Sequence, residues 1–424
     1  MTDRPGRMRP GRGRARAAPM GAAFWRFWSV ELATETGLGL AVIALQTMVV
    51  LDLGGGATEV GWLSSARWLP YMVLGLLVGA IVERMRRRTV MIVSDVVRAV
   101  VLGGLAAVWL SGGGALWVLL LAVMLLGTAS LVNDAASQAF VPRLVGRDRL
   151  LPAHQRLDIG SNAAQSAGPA VSGVVIAWLG APISLLLAAG AHVVSAVVLW
   201  TLPADERLPR RAHGLGRSIA HGLRFVHRHP RLGPFARWTH VWFLCNGAAM
   251  TLLVPLVLLE LEAGPAGLGL AIGVLGAATL VGTSLAGVVG SRLGAARTII
   301  VSRVTSPIAW SAVALSAFAG DVLTAGLSTV VLLAGLALVG VGMGIGNPSE
   351  MALRQRATPD RMQARMNATM RTVNRAMFVI SAPLAGLLGD AIGFGPALAI
   401  VCAGFAIAAI GLAVSPLARG RTAH

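Results

Sequence analysis

Gly79-Ala-Ile-Val-Glu83-Arg84-Met-Arg86-Arg87-Arg88 separates two apolar runs, 60–82 before it and 89–110 after it. Each run is about 20 residues long, the length a helix needs to cross a hydrocarbon core about 30 Å thick. Four arginines crowd this turn, whereas the turns at the far ends of the same runs have none. The first of those carries Asp52 and Glu59, and 111–114 carries no charge. Outward from here the alternation continues. Arginine returns at Arg143–Arg156, Arg207–Arg237, Arg292–Arg303, Arg354–Arg375 and Arg419–Arg421. These clusters lie roughly 50–60 residues apart, room for two crossings and a turn. The turns between them hold Glu260 and Glu262, Asp321 or Asp390 instead. Positive charge is retained on the cytoplasmic side of a bilayer. Both termini are therefore expected inside, and the number of crossings is even.

Composition agrees. Hydrophobic residues make up 55% of the 424 and charged residues 13%, against about 25% charged in soluble domains. Mean hydropathy is +0.73. Twelve apolar segments can be marked, at 24–50, 60–82, 89–110, 115–136, 157–179, 182–202, 236–259, 266–289, 297–319, 322–345, 366–388 and 394–416. An all-α membrane protein with twelve transmembrane helices is the expectation. The net charge of +18, from 36 arginines and no lysine, is topological and faces anionic lipid, so the lipid bilayer and not nucleic acid is the expected partner. Cys245 and Cys402 fall inside spans with no metal-ligand spacing around them and read as small apolar packing residues. The first 23 residues, rich in Arg, Pro and Gly, read as a disordered cytoplasmic tail rather than a signal peptide; 417–424 reads as a second tail.

The largest cytoplasmic connection, 203–235, divides the chain into six-helix bundles at 24–202 and 236–416. Within it, Ser218–His229 places Ile219, Leu223 and Phe225/Val226 near one face and His and Arg on the other, as in a helix lying in the membrane interface. The bundles repeat each other. Gly79-x-x-x-Glu83-Arg84 recurs as Gly287-x-x-x-Ser291-Arg292, and Asn133, Gly168-Pro169 and Gly173 recur as Asn347, Ala382-Pro383 and Gly386. Parallel six-span repeats of this kind build the major facilitator fold.

Two motifs carry a resemblance. Gly79 to Arg88 resembles the major facilitator signature of the loop between spans two and three: Gly, three residues, an acid, Arg, then a basic cluster. That resemblance implies a cytoplasmic latch in which Glu83 and Arg84 pair with neighbouring helix ends. Glu83 stands for the usual Asp and Arg86 for the usual Gly. In span five, Gly160-Ser-Asn-Ala-Ala-Gln-Ser-Ala-Gly168-Pro169-Ala-Val-Ser-Gly173 resembles the superfamily's antiporter motif, with Ser172 where the first of the paired glycines is usual. Proline removes a backbone hydrogen bond and bends a helix; small residues admit a close neighbour. Phe24–Trp28, Ser65–Pro70, Ser94–Ala99, Phe140–Val145 and Gly222–Pro230 resemble the branch that includes enterobactin and macrolide exporters. This implies one cavity between the halves and export of a small molecule coupled to protons. Where that branch often has an acid after the span-one glycine, Gly37 is followed here by Leu38.

Ionisable groups inside a membrane are expensive and default to functional candidates. Glu31 and Glu35 lie one turn apart on span one, and Gln46 continues their face; Glu35 is about 16 Å in. Arg67 is the one arginine in the outer half and needs a carboxylate or an anionic substrate. Arg375, with Arg371 and Asn374, climbs span eleven. Asn162 and Gln165 in span five, and Asn133 and Asp134 in span four, face protein or water. Asp95 and Arg98, with Arg303 at the position equivalent to Asp95, are assigned to the latch network. His192 and His240 read as packing histidines. The expected function is export of a small amphipathic molecule, such as a drug, secondary metabolite or siderophore, in exchange for protons, by a monomer in the cell membrane. A proton-coupled importer or uniporter of the same fold, or a non-transporting membrane receptor or assembly protein, stays open. No phosphate-binding loop, metal cluster or nucleophile–base pair is present, so neither an enzyme nor a cofactor is expected.

Overall fold

The computed structural model describes residues 20–82, 84–145, 149–202, 215–317 and 324–416. Among them every regular element is helical: α1 (Ala22–Thr47), α2 (Ala57–Val82), α3 (Arg87–Leu110), α4 (Leu116–Val145), α5 (Leu150–Leu179), α6 (Ala181–Trp200), α7 (Leu215–Arg228), α8 (Leu232–Pro255), α9 (Gly264–Leu293), α10 (Ala295–Ser316), α11 (Ala325–Arg356), α12 (Asp360–Ile392) and α13 (Phe394–Ala413). Helices dominate because a backbone in hydrocarbon must satisfy its hydrogen bonds within the segment. Ten of these, counting the turns that extend α1 and α8, are long and apolar enough to cross a membrane, against the twelve expected. The long helices outside that set are α2 and α5. Polar His154, Arg156, Asp158 and Asn162 fill the first half of α5, so its apolar part is only Ala167–Leu179.

The chain uses one backbone device twice, 208 residues apart (48 to 256). After α1 the helix widens into a π-turn, Met48–Asp52, closed by Leu53 N–H to Met48 O at 3.0 Å. After α8 the same turn is Leu256–Glu260, closed by Leu261 N–H to Leu256 O at 2.9 Å. Each is followed by a residue in the left-handed region, Gly54 (φ 65°) and Glu262 (φ 46°). Glycine adopts that conformation freely, and a glutamate there is strained.

Helices α1–α6 pack among themselves, as do α8–α13, and the main contacts across are α2 with α12 and α5 with α9. Both are glycine-to-backbone approaches. A Cβ on Gly61 would stand 2.5 Å from Ala382 O, and one on Gly173 would stand 2.7 Å from Gly269 Cα. Without a hydrophobic force between helices in lipid, such close backbone approach is what holds them. Both approaches lie toward the arginine-poor end, and there the two π-turns also touch.

Helix α7 forms where an interfacial helix was expected, but its faces are divided differently. Val226 is fully buried with Leu232, Phe235, Met366 and Met370, while Leu223 is 46% exposed. Gly222 explains the difference: with no side chain it lets α7 settle against Thr369 and Arg365 of α12, which turns Leu223 outward.

Candidate functional site

Four helices bring charge to the centre. Glu35 comes from α1, Arg67, Trp68 and Tyr71 from α2, Asp134 from α4 and Arg375 from α12, and together they line a cavity of ≈ 470 Å³. Arg67 and Tyr71 are four residues apart and so share a helix face. Asp134 Oδ2 accepts a hydrogen bond from the Tyr71 hydroxyl at 2.8 Å. The Arg375 guanidinium lies 3.6 Å above the Trp68 ring and 5.6 Å from the Tyr71 ring; Arg67 lies 5.0 Å from the Trp68 ring. Cationic guanidiniums are drawn to the negative face of indole, more strongly where water is scarce. A second chamber of ≈ 150 Å³ adjoins it, sharing Leu38, Val42, Arg67, Trp68 and Met250 as lining. That chamber is walled mainly by Leu45, Leu63, Val123, Leu126 and Phe378, with Gln46, Ser64, Ser130 and Thr251 as polar points beside Arg67.

Of the residues singled out in the sequence, Glu35, Arg67 and Arg375 share the larger cavity and Gln46 lines the smaller one. Glu31 lies beside them, half-buried, its Oε1 accepting from Ser137 Oγ at 2.7 Å. The side chains of Asn162 and Gln165 lie outside the described residues, as do Glu83 and the surroundings of Gly79; Arg84 is exposed. Pro169 lines the cavity wall, and Gly168 faces Gly39 of α1, a Cβ there standing 3.3 Å from Gly39 Cα. Gly160 is packed against the Trp28 indole, whose N–H donates to Arg156 O at 3.0 Å.

Arg303 does not join Asp95 and Arg98. Asp95 and Arg98 form a buried pair at 3.0 Å, with His192 Nδ1 3.1 Å from Asp95 and Ser195 Oγ donating to it at 2.5 Å. This pair ties α3 to α6. Arg303 pairs instead with Glu350 of α11 at 2.5 Å and stacks 4.2 Å from the Trp242 ring. His192 is thus part of a polar cluster, and His240 Nδ1 lies 2.7 Å from Asn374 Oδ1. Trp68, Tyr71 and Glu350 carried no sequence signal beyond their type. Asp134 was legible as a polar group in a span but not as a cavity residue.

The sequence matches, over residues 15–423, a family model described as transmembrane secretion effector. The chain belongs to this family of major facilitator transporters. Its members are membrane transporters, not enzymes. It is 30% identical over 213 residues to the MFS-type transporter YfiS of Bacillus subtilis (47% of this chain, 48% of that protein). It is 29% identical over 218 residues to the multidrug efflux pump Tap of Mycobacterium bovis (49% and 51%). These matches span about half the length of each relative. An uncharacterized MFS-type transporter of Sinorhizobium fredii matches more widely, 28% over 354 residues, 81% of this chain and 83% of that one. Among solved structures, the nucleoside transporter NupG superposes with a TM-score of 0.71 at 12% identity, covering 92% of this chain and 98% of that one. A bacterial homologue of the iron transporter ferroportin in its inward-facing state gives 0.70 at 15%, covering 92% and 97%. At such identities the likeness is one of fold alone. The chain is a multi-pass membrane protein, and its family places it in the plasma membrane.

Proposed function

We propose that this transporter exports a small amphipathic molecule, of the drug, secondary-metabolite or siderophore kind, in exchange for protons by alternating access. The observation that carries the reading is a pair of adjoining chambers, one in which carboxylates and guanidiniums meet and one that is mainly apolar. The carboxylates of Glu35 and Asp134 are placed to hold a proton, and the apolar chamber to hold the body of a substrate. A family that includes efflux pumps among its relatives is consistent with export.

In this reading the chain has twelve spans in two six-helix bundles, 24–202 and 236–416, joined by the segment containing α7, with both termini cytoplasmic. The repeated π-turns 208 residues apart (48 to 256) support the two bundles. Closure at the arginine-poor end, by α2 against α12 and α5 against α9, corresponds to an inward-facing state. Gly79, Glu83 and Arg84 act as the latch of the opposite, outward-facing state, and the protein works as a monomer. Everted vesicles carrying the transporter test the proposal. Imposed acidity inside the vesicles should drive uptake of a fluorescent amphiphile, and an uncoupler should abolish it. Uptake indifferent to the proton gradient would overturn exchange.

A further inference from the structure

Arg67 and Arg375 are the two cavity guanidiniums, and among the described residues neither makes a hydrogen bond or an ion pair; their recorded contacts are with aromatic rings. The chain's other charges near the cavity are better provided for. Asp134 has the Tyr71 hydroxyl and Glu31 has Ser137. Arg98 has Asp95. The nearest parallel is Arg303, which also stacks on an indole, Trp242, at 4.2 Å, and whose charge is met by the Glu350 carboxylate at 2.5 Å. Arg375 has the same indole platform at 3.6 Å, but among the described residues no carboxylate stands at ion-pair distance from it; Asp134, in the same cavity, is hydrogen-bonded to Tyr71. A guanidinium stripped of bulk water is costly; Glu35 and Asp134 offset part of that charge across the cavity, but among the described residues no group fills the planar fork, which is shaped to take a carboxylate, sulfonate or phosphate in two parallel hydrogen bonds. Both guanidiniums lie against one tryptophan, 5.0 and 3.6 Å from its ring, and line the same cavity.

We propose that Arg67 and Arg375, carried on Trp68, form an anion-receiving subsite, and that the transported molecule is an amphipathic organic anion. Its charged head sits between the guanidiniums and its apolar body fills the chamber lined by Leu45, Leu63, Val123, Leu126 and Phe378. This deepens the export reading and rests on it. The inside-negative potential of a cell favours outward movement of such a molecule. An anion in this subsite attracts protons to Glu35 and Asp134 instead of displacing them. Exchange is then imposed by which loaded forms change conformation, not by competition between charges.

The test uses the full-length protein in nanodiscs of zwitterionic lipid and three probes with one apolar body: 2-naphthalenesulfonate, 2-naphthylmethanol and 2-naphthylmethylammonium. Calorimetry should show the sulfonate binding at least tenfold more tightly than either of the others, with an affinity that falls as salt rises. Arg67→Gln and Arg375→Gln should each weaken the sulfonate at least tenfold, and well beyond any change in binding of the neutral probe, which reports whether the cavity has kept its shape. Arg375→Lys should restore only part of the loss, because an ammonium lacks the fork. Equal affinity for the three probes, tighter binding of the ammonium, or parallel loss of neutral and sulfonate binding in the Gln variants overturns the subsite. The two readings fail separately. Sulfonate selectivity without proton-driven uptake in vesicles sinks the exporter and keeps the subsite, and proton-driven uptake without sulfonate selectivity does the reverse.

Discussion

Asp390, near the end of α12, accepts a backbone hydrogen bond from Ala57, the first residue of α2, at 2.9 Å, and its second oxygen accepts one from Thr58 at 2.9 Å. A carboxylate from another helix thus caps the positive end of α2. The clasp lies at the arginine-poor end, beside the Gly61–Ala382 approach, and joins the two helix groups where they close.

Asp390→Ala should therefore loosen that closure. A cap of this kind contributes about 1 kcal/mol, or about fivefold in the ratio of closed to open forms. A single cysteine replacing Gln46, in a background lacking Cys245 and Cys402, reports it in right-side-out vesicles. An impermeant thiol reagent added outside should label it several-fold faster in the Asp390→Ala protein. An unchanged rate means that the clasp does not govern opening.

The Asp95–Arg98 pair leads to a stability prediction. Both side chains are buried, at 1% and 0% exposure. Removing one partner leaves the other charge buried and uncompensated, typically at about 3–5 kcal/mol. Asp95→Asn should lower the thermal unfolding midpoint in detergent markedly. The double variant Asp95→Asn, Arg98→Met should recover much of the loss, since neither charge then remains. If the double variant is worse than the single, the pair is not the source of the effect.

Some of this architecture was open to reading along the chain and some was not. Arginine alternation is a one-dimensional signal with a physical cause, the membrane's asymmetry, and it pointed to an all-helical membrane protein, although among the described residues ten helices rather than twelve are long and apolar enough to cross. Intramembrane charge is another such signal, and it led to Glu35, Arg67 and Arg375, which do meet in one cavity. What stayed hidden is what spacing cannot encode. Asp390 caps a helix 333 residues away, and Glu350 meets Arg303 from a different helix. Trp68 and Tyr71 carry no signal of their own until Arg375 is laid over them. The repeated π-turn is masked because Gly54 in one copy is Glu262 in the other.

His229, between α7 and α8, gives a pH dependence. Its Nδ1 accepts from the backbone N–H of Arg231 and Leu232 at 3.2 Å each, which requires the unprotonated ring nitrogen. Partial burial, and then the charge of Arg231, hold its pKa below the usual histidine range. The unfolded chain consequently takes up the proton first, so this contribution is fully present above the unfolded pKa of about 6.5 and is lost as pH falls through the lower folded pKa. Amide exchange at Arg231 and Leu232, corrected for the intrinsic pH effect, should become faster below about pH 6. His229→Asn, which keeps an acceptor and cannot titrate there, should flatten the profile. A wild-type profile that is already flat rules the switch out.

If export is proton-driven as proposed, the cavity carboxylates are the groups to test, with Glu35 first because it comes from α1 and lines the cavity directly. Glu35→Gln keeps the shape and removes the titrating group. Each proton moving inward gains about 2.3 kcal/mol per 100 mV, enough to sustain roughly a fifty-fold substrate gradient. The Gln variant should lose that uphill export while still exchanging labelled for unlabelled substrate across vesicles at equal concentration, because exchange at equilibrium needs the cavity and the rocking motion but no proton step. Asp134→Asn is the necessary companion. It removes the other cavity carboxylate while leaving an acceptor for the Tyr71 hydroxyl, and it should impair uphill export less if Glu35 carries the proton. Normal uphill export by Glu35→Gln moves the role to Asp134. Normal export by the double variant takes proton coupling out of this cavity, whereas loss of both exchange and export in either single variant marks that carboxylate as part of the substrate site.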